Sequence, residues 1–216
     1  MPANPAPPYW PRAKRALRQA DPVLAAIIAR HPRGFLVSRG DPFTTLGRAI
    51  TGQQISVKAA AAVWARVCGA CPDFTPRAVL RRRPTTLRAC GLSERKVEYL
   101  RDLAAHFERE KLTEAFLQGL SDEDVIERLT AVRGIGRWTA EMFLIFNLLR
   151  PNVLPLDDLG LLKAISFNYM DGEPVERLNT RVGRARIMQL AQNWAPWRSV
   201  ATWYLWRSLE SLPVGN

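Results

Sequence analysis

Apolar residues in this chain recur at intervals of three and four. Val97, Leu100, Leu103, Ala104 and Phe107 share one side of a helix predicted over Ser93–Arg109. Ile55, Val63 and Val67 mark a second, Ala-rich helix over Ser56–Val67. Asp21-Pro22 and Asp41-Pro42 each set a capping carboxylate before a proline at the first helical position, which predicts two helix starts. Ser121 caps a further helix reaching about Thr130. Helices over Arg137–Leu149, Asp157–Phe167, Thr180–Asn193 and Pro196–Leu209 follow, and Pro72, Pro76 and Pro84 cut the intervening chain into short pieces. Strand-like alternation persists nowhere over a useful length, so the expected fold class is all-α, with no N-terminal β lobe.

Punctuation along the chain sets the expected organisation. Pro2, Pro5, Pro7, Pro8 and Pro11 predict an extended arm over the first eleven residues, and residues 1–20 read as a basic, proline-rich arm with a first helix. No Gly- or Ser-rich linker follows, so residues 21–216 read as a single two-lobed helical bundle. A central lobe spans about 45–155, and 21–44 with 156–216 form the other. The acidic stretch 110–124 marks a turn, and a cleft between the lobes is the expected ligand site.

Charge narrows the partners. The 216 residues are 47% hydrophobic and 24% charged, ordinary for a globular chain, but 31 Lys+Arg against 20 Asp+Glu leave a net +11. The excess is segregated. Residues 1–20 hold Arg12, Lys14, Arg15 and Arg18 without an acid, 77–88 hold five arginines, and 177–207 hold six. One basic face and a polyanionic partner follow. No stretch resembles an export signal or supplies a membrane helix, so no membrane partner is expected. Three cysteines (Cys68, Cys71 and Cys90) are too few for a disulfide framework, and with only His31 and His106 besides they make a metal site a weak reading. Buried thiols in a reducing, intracellular setting are expected instead: the cytoplasm or nucleoid of a bacterium, or the nucleus of a eukaryote.

The stretch from Leu129 to Ala140, LTAVRGIGRWTA, carries the sharpest chemical signal. Leu129 and Val132 end one helix, Gly134-Ile135-Gly136 turns the chain, and Arg137 begins the next helix. Glycines allow positive φ there and leave peptide N–H groups uncovered at a helix N-terminus, where donors and dipole together favour a phosphate. Gly134, Ile135, Gly136 and Arg137 are therefore the expected phosphate contacts, with Ile135 anchoring the turn. Downstream, Asp157 and Asp158 follow Pro155 and open a helix, where one can cap while the other faces a groove. Trp138, Trp203, Tyr204 and Trp206 are candidate aromatic walls for a ligand pocket.

These segments resemble the helix-hairpin-helix DNA glycosylases, a superfamily of base-excision repair enzymes. The hairpin, LPLDDLGLLK (154–163), AITGQQISVKAA (49–60) and WAPWRSVA (194–201) occur in the family's order, and the last is similar to the 3-methyladenine DNA glycosylase II branch. The resemblance implies a base-excision hydrolase that flips an alkylated purine (3-methyladenine or 7-methylguanine type) from double-stranded damaged DNA and leaves an abasic site. It implies Asp158 as the catalytic carboxylate and Asp157 as its capping or supporting neighbour. Trp138 and Trp206 would occupy the pocket-tryptophan positions, with Met142 where a tyrosine is usual, and Gln53-Gln54 the minor-groove wedge, Gln54 filling the gap. Backbone carbonyls of Thr130, Val132 and Ile135 would hold a structural Na+ or K+.

Trp138 stands where the lyase branch has its Schiff-base lysine, so a monofunctional enzyme using water is expected. No cysteine lies beyond residue 90, so no iron–sulfur cluster and no required cofactor are expected, and a monomer is the expected state. Two rival readings are a non-catalytic helix-hairpin-helix DNA-binding protein and a glycosylase for a neutral lesion such as uracil or a mismatched base. The first has no need of Asp158 or an aromatic pocket. The second calls for specific Asn/Gln contacts.

Overall fold

The computed structural model describes residues 5–210, so Pro2 of the expected arm lies outside them. Helices make up the regular structure, and no strand occurs among the described residues. In chain order they are α1 (Trp10–Ala20) and α2 (Pro22–Arg30), then α3 (Pro42–Gly52), α4 (Val57–Ala70), α5 (Pro76–Arg81), α6 (Pro84–Ala89) and α7 (Glu94–Glu110). There follow α8 (Glu114–Gln118), α9 (Asp122–Thr130), α10 (Arg137–Phe146), α11 (Leu159–Tyr169), α12 (Val175–Leu178), α13 (Arg181–Leu190) and α14 (Arg198–Leu209). The chain divides into two compact units, a terminal one of Met1–Val37 with Leu149–Asn216 and a central one of Ser38–Leu148. The divisions fall at 37/38 and 148/149, where 44/45 and 155/156 were expected.

Capping chemistry explains most starts. Asp21 accepts from the Val23 and Leu24 amides at the head of α2, and Asp41 accepts from Thr44 at the head of α3. Ser56, Ser93 and Ser121 cap α4, α7 and α9 in the same way.

In the terminal unit the expected eleven-residue arm is corrected, because Trp10 already opens α1 with Pro11 in its first turn, where a missing N–H costs nothing. The Trp10 indole meets Trp203 edge-to-face at 5.3 Å, and Tyr9 Oη donates to the Leu149 carbonyl at 2.7 Å. This aromatic burial holds α1 against α14 and α2. Asp21 is the buried polar centre of the unit. Beyond its cap it accepts from Trp194 Nε1 and Tyr169 Oη, each at 2.8 Å. Burial first, then the Asp21 charge, push the Tyr169 hydroxyl far above its ordinary pKa.

In the central unit α7 packs against α3 and α5, and Phe43 joins Phe74 (5.0 Å) to Phe107 (5.3 Å). Cys68, Cys71 and Cys90 belong here as free thiols, and burial raises the first two above the usual thiol value. No described helix is long and apolar enough to cross a membrane.

Candidate functional site

The hairpin lies in the central unit between α9 and α10. Gly134 has φ +84°, and a Cβ there would collide with the Tyr99 ring, so both backbone and space require glycine. Gly136 behaves differently. Its φ is −92°, nothing lies within 4 Å of a Cβ placed on it, and it is the N-cap of α10 with no side-chain cap bond. The expectation of positive φ holds for Gly134 alone. Glycine at 136 leaves the head of α10 open to an incoming anion.

Two of the expected phosphate contacts change character. The Ile135 amide closes the turn by donating to the Val132 carbonyl at 3.1 Å, and the Ile135 side chain is buried. The Arg137 guanidinium is engaged by acids, with Glu123 at 2.7 and 3.2 Å and Glu141 at 3.1 Å. The hydrogen bonds it donates to Glu123 come first among the causes that raise Arg137 above the usual guanidinium pKa. Glycine spacing marked the turn, but acids 14 residues upstream and four downstream were invisible as partners.

Gln53 and Gln54 part company. Gln53 ends α3 and donates through Nε2 to the Gly134 carbonyl at 2.8 Å, tying the α3–α4 turn to the hairpin. That bond holds the Gln53 side chain against the hairpin. Gln54 holds a left-handed conformation, φ +57°, with its side chain exposed. A non-glycine in this region is held by its surroundings, and here it lifts the side chain clear of the turn.

Both glutamines line a cavity of about 730 Å³ with Trp138, Met142, Phe143 and Phe146. Trp138 is 45% exposed. Successive turns of α10 supply the pocket candidates, because 138, 142 and 146 recur every four residues.

Asp158 belongs to the terminal unit and is 9% exposed. It is the N-cap of α11, its Oδ1 accepting from the Leu161 amide at 2.7 Å and from Trp206 Nε1 at 2.8 Å. The expected division of labour is thereby corrected: Asp158 caps, and exposed Asp157 pairs with Arg184, which also binds Asn179. A cap carboxylate must lie over the first helical turn, so the capping residue is the one held rigidly. Trp206, expected as a base-pocket wall, orients this carboxylate through its indole N–H.

Gly160 was missed in the sequence. A Cβ there would stand 3.1 Å from Asp158 Oδ1 and 3.2 Å from the Trp206 indole. Its signal was a glycine in a helix's first turn, two residues after an acid. Trp203 and Tyr204, two of the four candidate aromatic walls, are buried in the terminal unit, as is Trp194.

In the terminal unit a buried carboxylate caps α11; in the central unit an aromatic cavity adjoins the glutamine turn, and the glycine hairpin leads into a helix head without a side-chain cap. Residues 48–178 match the family described as HhH-GPD superfamily base excision DNA repair protein. The chain is 33% identical over 189 residues to DNA-3-methyladenine glycosylase 1 of Schizosaccharomyces pombe, covering 86% of this chain and 80% of that one. A DNA-3-methyladenine glycosidase structure from Bacillus halodurans superposes with a TM-score of 0.82 at 35% identity, covering 93% of this chain and 90% of the other. The S. pombe 3-methyladenine DNA glycosylase in complex with abasic DNA superposes with a TM-score of 0.76 at 30% identity, over 95% of this chain and all (100%) of that one. Motif, fold and relatives agree, and this chain belongs to the HhH-GPD superfamily of base excision DNA repair proteins.

Proposed function

We propose that this chain is a monomeric, intracellular DNA glycosylase of the 3-methyladenine glycosylase II type. It flips an alkylated purine out of double-stranded DNA and hydrolyses its N-glycosidic bond. The observation that carries the reading is Asp158, buried and held through Oδ1 by the Leu161 amide and the Trp206 indole. As the bond to the base breaks, positive charge develops on the sugar, and a fixed carboxylate stabilises it without reorganising. Water supplies the oxygen that bonds to the anomeric carbon and releases one proton to the solvent, the cationic purine leaves neutral with the bonding electron pair, and an abasic site remains. A purine alkylated at N3 or N7 is already cationic, so it departs with little acid assistance. The Trp138 face suits such a base through its π-electrons. Trp138 supplies no amine for a Schiff base, which supports a hydrolase without lyase activity.

The Gly134 and Gly136 amides and the backbone of Arg137 are proposed to receive a DNA phosphate, and Gln54 to fill the gap left by the flipped base. Exposure of Gln54 at the tip of its turn supports that role. The carbonyls of Thr130, Val132 and Ile135 fit a monovalent cation in kind. The Val132 carbonyl accepts one hydrogen bond, from Ile135, and an oxygen has two lone pairs. Such an ion would add positive charge beside the phosphate.

The test is release of 3-methyladenine and 7-methylguanine from methylated DNA by the wild-type chain and Asp158→Asn. The variant should bind abasic-site DNA as wild type does while base release falls by about 10²–10³-fold. Full activity in the variant overturns the mechanism. Wild-type release of uracil or a mismatched base, with no methylated purine, assigns the neutral-lesion class instead.

A further inference from the structure

Next to the aromatic cavity lies a second one of about 510 Å³, lined by Arg39, Thr44, Thr45, Arg48, Ala49 and Trp64. Arg39, Thr45, Arg48 and Ala49 line both, so the two adjoin at these residues. We propose that Arg39 and Arg48 form a phosphate clamp at this end of the cavity. The clamp receives a backbone phosphate of the strand whose base enters beside Trp138. It rests on the glycosylase reading and adds to it a contact separate from the hairpin.

Three features support the clamp. First, no carboxylate pairs with either arginine among the described residues, and no acid lines either cavity. Most arginines near acids in this unit are engaged, as Arg77 is by Glu108 and Arg128 by Glu110. Second, Arg39 is held in place. Its guanidinium carbon sits 4.1 Å from the Phe146 ring centre, and its amide donates to the Phe146 carbonyl at 2.9 Å. A stacked guanidinium keeps its N–H fork directed outward, which matches the two oxygens of a phosphate. Third, Thr45, Arg48 and Gly52 recur at three and four residues along one face of α3, so Arg48 stands one turn before the glutamine turn.

Burial first, then repulsion from the neighbouring Arg48 charge, lower the Arg39 pKa. An anion bound between them relieves that repulsion. A free phosphate offers the same chemistry, but the lining shared with the Trp138 cavity favours a nucleotide whose base occupies that cavity.

The clamp is tested by binding to a duplex carrying a stable tetrahydrofuran abasic analogue, with neutral methylphosphonates replacing single phosphates around it. Wild type, Arg48→Ala and Arg39→Lys are compared, the lysine keeping the charge but not the fork, and thermal melting checks that each variant is folded. Arg48→Ala should bind about tenfold more weakly. One methylphosphonate should cost the wild type about the same factor and cost Arg48→Ala nothing further. Arg39→Lys should fall between.

Unchanged binding by Arg48→Ala, or methylphosphonate losses that add to it at every position, would overturn the clamp and leave the glycosylase reading intact. Competition by inorganic phosphate without any methylphosphonate effect would reassign the pair to a free anion, against the clamp. A wild-type chain that binds no abasic duplex would overturn the glycosylase reading itself.

Discussion

Gly160 leaves room beside the Asp158 carboxylate proposed to be catalytic. The space above it is filled by Asp158 Oδ1 and the Trp206 indole, which bond to each other at 2.8 Å. A methyl group at 160 must displace one of them by a few tenths of an ångström. Alanine is the better helix former by about 0.5–1 kcal/mol, which offsets the crowding in stability but not in geometry. Gly160→Ala should therefore melt within a few degrees of wild type while base release falls about tenfold, because fixed catalytic groups tolerate little displacement. Equal kinetics for the two proteins would show that the carboxylate does not need this fit. Two adjacent aspartates look alike in a sequence, and one was expected to cap while the other faced the groove. Asp158 caps and carries the candidate chemistry, because the cap fixes one oxygen and holds the carboxylate rigid.

At the scale of the element, the α9–α10 hairpin separates two glycines of unlike purpose. Gly134→Ala forces a side chain into positive φ and onto Tyr99, and should destabilise the fold by about 2–4 kcal/mol in denaturant melts. Gly136→Ala meets nothing and should cost about 1 kcal/mol or less, yet weaken DNA binding by covering the open end of α10. If Gly136→Ala binds DNA as tightly as wild type, phosphate does not dock there. Helix starts were readable because an Asp or Ser cap and a following proline act within a few residues. Short α5, α6, α8 and α12 had too few turns to show a period. The Gln53 bond to the Gly134 carbonyl joins residues 81 apart and left no mark on either local pattern.

Across the whole molecule, charge is redistributed by folding. Of the six arginines in 177–207, Arg184, Arg186 and Arg207 pair with Asp157, Glu173 and Glu210, acids outside that run. These pairs remove much of the run's apparent excess. Lys14, Arg15, Arg18 and Arg33 instead line a groove of about 870 Å³ in the terminal unit with no acid on it. Lys14 and Arg18 share a face of α1, which turns a basic segment into a basic surface. Affinity for undamaged duplex should fall linearly with salt on a double-logarithmic plot. Replacing Arg15 and Arg18 by Gln should reduce the slope by about 0.9 for each phosphate that is no longer neutralised. A slope unchanged in that double variant would place the groove off the DNA.

Helical class, the caps at Asp21, Asp41, Ser56, Ser93 and Ser121, the glycine turn at 134–136 and the excess of positive charge were set by the sequence alone. Each depends on neighbours within one or two turns, or on composition. Tertiary structure decided which aspartate caps, which glutamine stays exposed, which arginines pair with acids and which glycine makes room for a side chain. Those outcomes depend on partners tens of residues away, and a periodic pattern records which face is buried without recording what it meets.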